Sequence, residues 1–376
     1  MSSSCVINRL AISITAHAWN GDRTLLACCP NDNTILIYSY KNNEFTLQHT
    51  LREHDSVVTC LAWAVKTNRI LSASQDRNAY VWRWENNEWK PTLVILRLNR
   101  AATRCAWSPQ EDKFAVASGA KLVAVCYFEK EYDWWVSKHI KDHQSTVFDI
   151  SWHPNNVLIA TASSDAHVRV ISAFVKGVDS KDAIKNDAFG TKLPFGTLCK
   201  EIHSGGWVHA AKWSPTGTRL AWVSHNSSVH VLECATSSHV HHTLKLEYLP
   251  FMDLVWTSPN LFVAAGYDSF PCLFSVSESG IKNHGSVDTK MASGGSSGGA
   301  SGTMMSAWQK RDRLGSATAD QDLGLNSHHQ NCISVIQPFE GSDTQLKSFS
   351  TSGLDGAIAI WNVDAIKKAI PGIPAS

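Results

Sequence analysis

Three sets of residues in this chain have the types used in acid–base and nucleophilic chemistry: His54, Ser72 and Asp76; His143, Thr161 and Asp165; and His329, Thr351 and Asp355. A histidine, a hydroxyl and a carboxylate are the parts of a hydrolytic triad, in which the carboxylate orients the imidazole and the imidazole takes the hydroxyl proton. The histidine precedes the aspartate by 22 residues in the first two sets and by 26 in the third. An active site is built once, so a recurring set reads as a structural network. Trp82 and Trp361 offer an indole N–H to the first and third sets, and Ile171 stands in that place in the second. His239, His241 and His242, with His328 and His329 as a further pair, have no Cys, Asp or Glu at a spacing that completes a metal set. A Gly-rich phosphate loop and a singled-out carboxylate pair are missing from the sequence, and no nucleophile elbow is read in it. The expectation is a protein that is not an enzyme, with no catalytic residue, metal or cofactor.

The elements that position these residues are found by aligning turns. The segments ACCPNDNTILIY, SASQDRNAYVW, TASSDAHVRVI, AAGYDSFPCLF and STSGLDGAIAIW each run from an apolar strand through an Asp into a second apolar strand. Their turn residues are Asp32, Asp76, Asp165, Asp268 and Asp355, and six residues later stand Tyr38, Trp82, Ile171, Phe274 and Trp361. Constant spacing of this kind marks a hairpin of fixed register. Two further copies place Ala120 and Asn226 at the turn, which makes seven units. A second landmark is a Trp ending an apolar strand, at Trp19, Trp63, Trp107, Trp152, Trp213 and Trp256, with gaps of 44, 44, 45, 61 and 43 residues. A period of about 40–45 residues made of short strands is that of propeller blades.

This pattern resembles the WD-repeat family, in which the turn Asp, a loop His, a strand hydroxyl and an indole close a buried polar chain, as His54, Ser72, Asp76 and Trp82 would here. The resemblance implies an all-β, seven-bladed β-propeller spanning residues 1–376 as a single domain. Asn8 to Thr15 (NRLAISIT) is the expected donor of the outer strand that closes blade seven, so truncation at either end should weaken the ring. The innermost strands read as mainly apolar with interspersed hydroxyls, which leaves a propeller enzyme without converging groups. The first histidine cluster falls in the expected connection between blades five and six. Trp134 and Trp135 fall on an outer strand of blade three, one ring facing inward and the other available to a partner.

Composition narrows the class of partner. Thirty-three acidic residues stand against 34 Lys and Arg, and a net charge of +1 gives no field to steer the chain to nucleic acid or anionic lipid. Protein partners fit better, and 15 Trp residues are enough for both cores and interfaces. No apolar run approaches the roughly 18 residues of a membrane span, and the first ten residues lack a signal-like apolar region. Ten scattered Cys without a C-x-x-C pair read as reduced thiols of a soluble cytoplasmic protein.

Two insertions interrupt the period, at residues 172–199 and 279–327, and insertions in repeat proteins gather on a face used by partners. The second contains ASGGSSGGASG, Ala292 to Gly302, which has no means of burying a core. After it, TMMSAWQKRDRLG predicts a short helix over 304–314, with Thr303 as N-cap and Gly315 past its end. A helix this short is marginal alone. Met304, Met305, Trp308, Arg311 and Leu314 are therefore candidates for anchoring the arm on a partner.

Segments outside the repeat consensus narrow the resemblance. DRNAYVW from Asp76, WKPTLVILRLNRAA from Trp89, DWWVSKHIK from Asp133, WHPNNVLIA from Trp152, GWVH at Gly206, LAWVSH at Leu220, AAGYDSFPCLF at Ala264 and STSGLDG at Ser350 resemble the WD-repeat subunit family of the actin-related protein 2/3 complex. That resemblance implies a non-catalytic scaffold subunit supporting actin filament nucleation and branching. Its partners would be actin-related proteins, the small subunits of the same assembly, the actin filament and nucleation-promoting factors, in the cytoplasm at the actin cytoskeleton. An alternative is another WD-repeat adaptor, such as a ubiquitin-ligase substrate receptor. The W-D-x-R ending frequent in such receptors is missing at Trp82-Arg83-Trp84-Glu85 and at Trp361-Asn362-Val363-Asp364.

Overall fold

Each repeat is short alternating or wholly apolar segments punctuated by turns, and blade two shows how this becomes a sheet. Its strands are Val58–Ala64, Arg69–Ser74, Ala79–Glu85 and Glu88–Val94, paired antiparallel in chain order. The second strand is almost wholly buried, because neighbouring blades cover both of its faces, while the fourth is mostly exposed and buries only Trp89 and Val94. Asn86 and Asn87, at φ 54° and 62°, turn the last hairpin, and Asn42 and Asn43, at 54° and 65°, do the same in blade one. Asparagine tolerates the left-handed conformation that two-residue hairpin turns require.

The computed structural model describes residues 5–180, 188–190, 192–234, 238–288, 325–342, 344–370 and 373, which form seven four-stranded antiparallel sheets. Six blades use four consecutive strands, and the seventh combines three strands near the end of the chain with Cys5–Arg9. That strand pairs Cys5 with Trp361 and Arg9 with Ala357. The closing strand is thus displaced from the expected Asn8–Thr15. NRLAISIT alternates and CVINR does not, so alternation pointed to the wrong segment. What decides is a clamp in which the Leu10 and Ala11 N–H groups donate to Gly356 O and the Ile14 N–H donates to Gly353 O. The clamp ties the chain after Arg9 to the Gly353–Gly356 turn of blade seven and buries Ile14 completely.

Three other expectations are corrected. Gly280–Ser286 is the outer strand of blade six, so the second interruption begins after Asp288 and not at Ser279. Val240–Lys245 is the outer strand of blade five, which places His241 and His242 on a strand rather than in a connection. The innermost strands also carry charge, as described below. A short helix, Val363–Ala369, follows the last strand, capped by Asn362 Oδ1 accepting from the Ala365 N–H, and buries Val363 and Ile366. The expected helix over 304–314, with Met304, Met305, Trp308, Arg311 and Leu314, lies outside the described residues.

Blades are joined at their innermost strands. Thr15, Thr59 and Ser334 each donate a hydroxyl to a carbonyl of the next blade, at Val58, Ala102 and Ile14, over 2.9, 2.9 and 3.2 Å, and Thr103 does the same to Val147. A bulge at this level in blades two, three and seven turns the hydroxyl out of the ladder toward its neighbour. Phe148, His209 and Met252 occupy the corresponding bulges of blades four, five and six. The landmark tryptophans also staple blades: the indoles of Trp107, Trp152 and Trp256 donate to Ala62 O, Ala106 O and Lys212 O of the preceding blade.

Candidate interaction surface

The hydroxyl–histidine–aspartate sets are closed in two blades. In blade two, His54 Nδ1 lies 2.7 Å from Asp76 Oδ2, His54 Nε2 lies 2.8 Å from Ser72 Oγ, and the Trp82 indole donates to Ser72 Oγ at 2.9 Å. Blade seven repeats this with His329, Asp355, Thr351 and Trp361 at 3.0, 2.8 and 2.8 Å. With Nδ1 protonated toward the carboxylate, every donor runs one way: indole to hydroxyl, hydroxyl to Nε2, Nδ1 to Asp. Ser72 and Thr351 are fully buried, so neither hydroxyl can meet a substrate. Burial opposes the charge on Asp76. The His54 hydrogen bond and the backbone N–H groups of Asn78 and Asp55 outweigh it and hold the carboxyl below its ordinary value.

Blade four departs from the expected set. His143 Nε2 meets Thr161 Oγ1 at 2.9 Å, but His143 Nδ1 is buried without a partner. Asp165 instead accepts from the Gln144 N–H and the Arg169 guanidinium, each at 2.9 Å. Arg169 takes the place of the histidine, and burial, followed by the Arg169 charge, pushes His143 down to about 4. Other blades replace the network outright. In blade three Leu98, Val116, Ala120 and Cys126 occupy the four positions, and the first, second and fourth are packed in an apolar cluster. In blade five the Trp222 indole donates to Ser204 Oγ, and the Asn226 amide donates to Ser204 O.

The innermost strands, expected to be apolar with hydroxyls, hold two cations and two carboxylates. Arg104 of blade three reaches Asp149 of blade four at 3.1 Å and Asp253 of blade six at 2.6 Å, and Lys212 of blade five meets Asp149 at 2.6 Å. Asp253 also accepts from the Ile336 N–H of blade seven and Asp149 from the Ala211 N–H. Burial opposes the charge on Asp253, but Arg104 and then Lys212 overcome it and lower its carboxyl. Carboxylates so fully engaged are neutralising groups, without a free lone pair for general-base work. A second pair, Lys113 with Asp179, is buried where the first insertion begins, with Lys113 Nζ also donating to Asn156 O at 2.9 Å. No spacing rule announces either group, because each joins residues from separate blades.

The candidate metal residues do other work. His328 Nδ1 pairs with Asp288 Oδ1 at 2.7 Å, His239 Nε2 lies 3.1 Å from Ala188 O, and His241 and His230 stack on Trp222, each 5.0 Å away. Among the described residues no group of three His, Cys, Asp or Glu is arranged to hold a metal ion. Exposed apolar residues mark three surfaces instead. Trp134 is 45% exposed while its neighbour Trp135 is buried. A groove of about 210 Å³ on the rim of blades one and two is lined by Leu25, His49, Trp84 and Trp89. On the face formed by the connections entering each blade and the turns bearing the aspartates, here called the upper face, Trp207, Tyr267, Leu249 and Leu354 stand out.

A seven-bladed ring with this closed His–hydroxyl–Asp–Trp chain defines a WD-repeat β-propeller, and the WD domain, G-beta repeat family matches residues 45–83. The Anaphase-promoting complex subunit 4 WD40 domain matches residues 105–188. Full-length relatives go further. The chain is 43% identical over 364 residues to Actin-related protein 2/3 complex subunit 1A-B of Xenopus laevis, covering 96% of each. It is 41% identical over 372 residues to subunit 1B of that complex from Arabidopsis thaliana, covering 97% of this chain and 98% of that one. It is 39% identical over 381 residues to subunit 1 from Schizosaccharomyces pombe, covering 96% and 100%. The chain belongs to the family of actin-related protein 2/3 complex subunit 1.

Proposed function

We propose that the protein is a non-catalytic scaffold subunit of an actin-related protein 2/3 complex, supporting filament nucleation and branching through protein–protein contacts. The observation that carries this reading is similarity along nearly the whole chain to animal, plant and yeast proteins whose names place them in that complex. The triad-like sets agree with it, since they serve the fold. The partners are the actin-related proteins and small subunits of the assembly, with the actin filament and nucleation-promoting factors as transient ones, in the cytoplasm at the actin cytoskeleton. In this reading Met304, Met305, Trp308, Arg311 and Leu314 anchor the arm on actin or an actin-related protein, and Trp134 lies on an outer contact surface.

Affinity purification of the tagged chain from its native cytosol, with mass spectrometry of stoichiometric partners, tests the assignment. Two actin-related proteins and four small subunits are the expected recovery. A ubiquitin ligase, or no stable partner, would overturn it and leave only the propeller.

A further inference from the structure

Two independent features meet on the upper face of blades five and six. One is an aromatic shelf. Trp207 is 53% exposed and Tyr267 37%, with the exposed His225 between them, its ring 5.4 Å from Trp207 and 6.5 Å from Tyr267. The shelf is held from below: His225 Nδ1 lies 2.9 Å from His209 Nε2, and the His209 ring stacks on Phe148 at 5.8 Å. Exposed aromatic side chains that are already immobilised bind with little ordering cost.

The other feature is Asp268, one residue along from Tyr267 and only 5% exposed. Its Oδ2 accepts the Leu249 N–H at 2.7 Å, while Oδ1 and the neighbouring Ser269 Oγ are buried without partners. The turn aspartates of the other blades are better served: Asp76 and Asp355 by histidines, Asp165 by Arg169, Asp32 by the Thr34 N–H and hydroxyl. Leu246 stands 22 residues before Asp268, where His54 stands before Asp76, so this blade has no histidine to offer. Burial raises the Asp268 carboxyl to about 6, which still leaves it charged at neutral pH. A half-paired buried carboxylate weakens the free chain, and such costs are retained where a site is completed by something else.

Charge on this face points to the missing partner. The upper-face segments of blades five to seven, residues 204–207, 225–227, 246–250, 267–271, 287–288, 325–332 and 354–356, carry Glu247, Asp268, Asp288 and Asp355 and no Lys or Arg. We propose that the upper face of blades five and six docks an arginine-bearing segment of a partner subunit, its guanidinium stacked on Trp207 and Tyr267 and drawn by the charge of Asp268. Arginine suits this better than lysine, because a planar, weakly hydrated guanidinium stacks on aromatic rings while donating in its own plane. An acidic segment would meet Glu247 and Asp268, and a purely apolar one would bury Asp268 further without an answer. The inference deepens the scaffold reading and rests on it.

The test is photo-cross-linking from Tyr267→p-benzoylphenylalanine in the tagged full-length chain, with the adduct mapped by mass spectrometry in the purified assembly. The expected adduct joins position 267 to an arginine-containing peptide of another subunit. Trp207→Ala and Asp268→Asn, which keeps an acceptor for the Leu249 N–H, should each cut its yield about tenfold without lowering the melting temperature. The same cross-linker at Tyr132, 77% exposed and at the other end of the strands, should not capture that peptide. An intact assembly with no adduct at 267, an adduct to a segment without arginine, an adduct to residues 289–324 of the same chain, or an undiminished yield in Asp268→Asn would each overturn the proposal. Recovery of an assembly without actin-related proteins defeats the scaffold reading instead, and the adduct at 267 still decides the partner's chemistry in whatever assembly is recovered.

Discussion

At the scale of single residues, two aspartates at equivalent turn positions are expected to behave in opposite ways. Asp76→Ala removes the acceptor of the His54 Nδ1–H and of two backbone N–H groups, and should lower unfolding stability by about 1–3 kcal/mol in chemical denaturation. Asp268→Asn removes a charge that burial disfavours and should raise stability at pH 7 by about 1 kcal/mol after allowance for its partial solvent screening. The pH dependence has a definite sign. Burial is the leading cause that lowers His17 and His230 to about 3 and His143 and His209 to about 4, with Arg104, His241, Arg169 and His225 respectively adding to it. A base depressed by folding supplies stability that is full above its unfolded pKa of about 6.5 and is lost as pH falls toward the folded value. Asp268 acts the other way, supplying stability below its unfolded pKa that is lost as pH rises through about 6. Four histidines outweigh one aspartate, so melting temperature should fall steadily from pH 6.5 to pH 4. A flat profile over that window would show that these rings are not held neutral by burial.

At the scale of elements, ring closure depends on a five-residue strand and the clamp behind it. Deleting residues 1–9 removes Cys5–Arg9 from the edge of Ala357–Asn362, uncovers a strand edge and should cost several kcal/mol, on the order of a small domain's whole stability margin. Limited proteolysis should then cut within blade seven first. Gly356 offers a smaller change at the same joint. It sits at φ 75°, and a Cβ there would collide with the Ala11 carbonyl, so Gly356→Ala should reproduce part of the deletion's loss of melting temperature. The segment LAISIT was legible as strand-like but not as the clamp, because the Leu10 and Gly356 groups that meet are separated by most of the chain.

At the scale of the molecule, the ring is held by charges that cross it as well as by contacts between neighbours. Arg104→Met should lower stability by about 3–5 kcal/mol, because it leaves Asp149 and Asp253 with only Lys212 and backbone donors. Arg104→Met combined with Asp253→Leu should recover much of that loss, which a double-mutant cycle by denaturation would read. The arm calls for the opposite outcome. In the proposed function, Trp308→Ala leaves the melting temperature within about 1 °C of the parent and lowers the rate of branch formation in a pyrene-actin assay, as loss of a contact anchor should. Equal thermal destabilisation by Trp308→Ala and Asp76→Ala would remove Trp308 from any partner surface.

The family was legible from the segments outside the repeat. The repeat, the blade count and the turn aspartates were legible in the sequence because they are periodic: each blade solves the same local packing problem, and constant spacing records the solution. His54 with Asp76 could be paired for the same reason. Several features could not be read this way. The Arg104–Asp149–Lys212–Asp253 group, the Lys113–Asp179 pair and the choice of Cys5–Arg9 as the closing strand join residues from different blades or ends, while the substitution of Arg169 for His143 beside Asp165 lies within one blade, where spacing alone favoured the histidine. The unanswered carboxylate of Asp268 became visible only once its surroundings were known, since the missing histidine matters only if nothing else reaches that atom. Spacing along a chain determines what a single blade contains. Which charges neutralise one another, and which is left for a partner, depends on distances across the ring, and only the closed tertiary structure sets those.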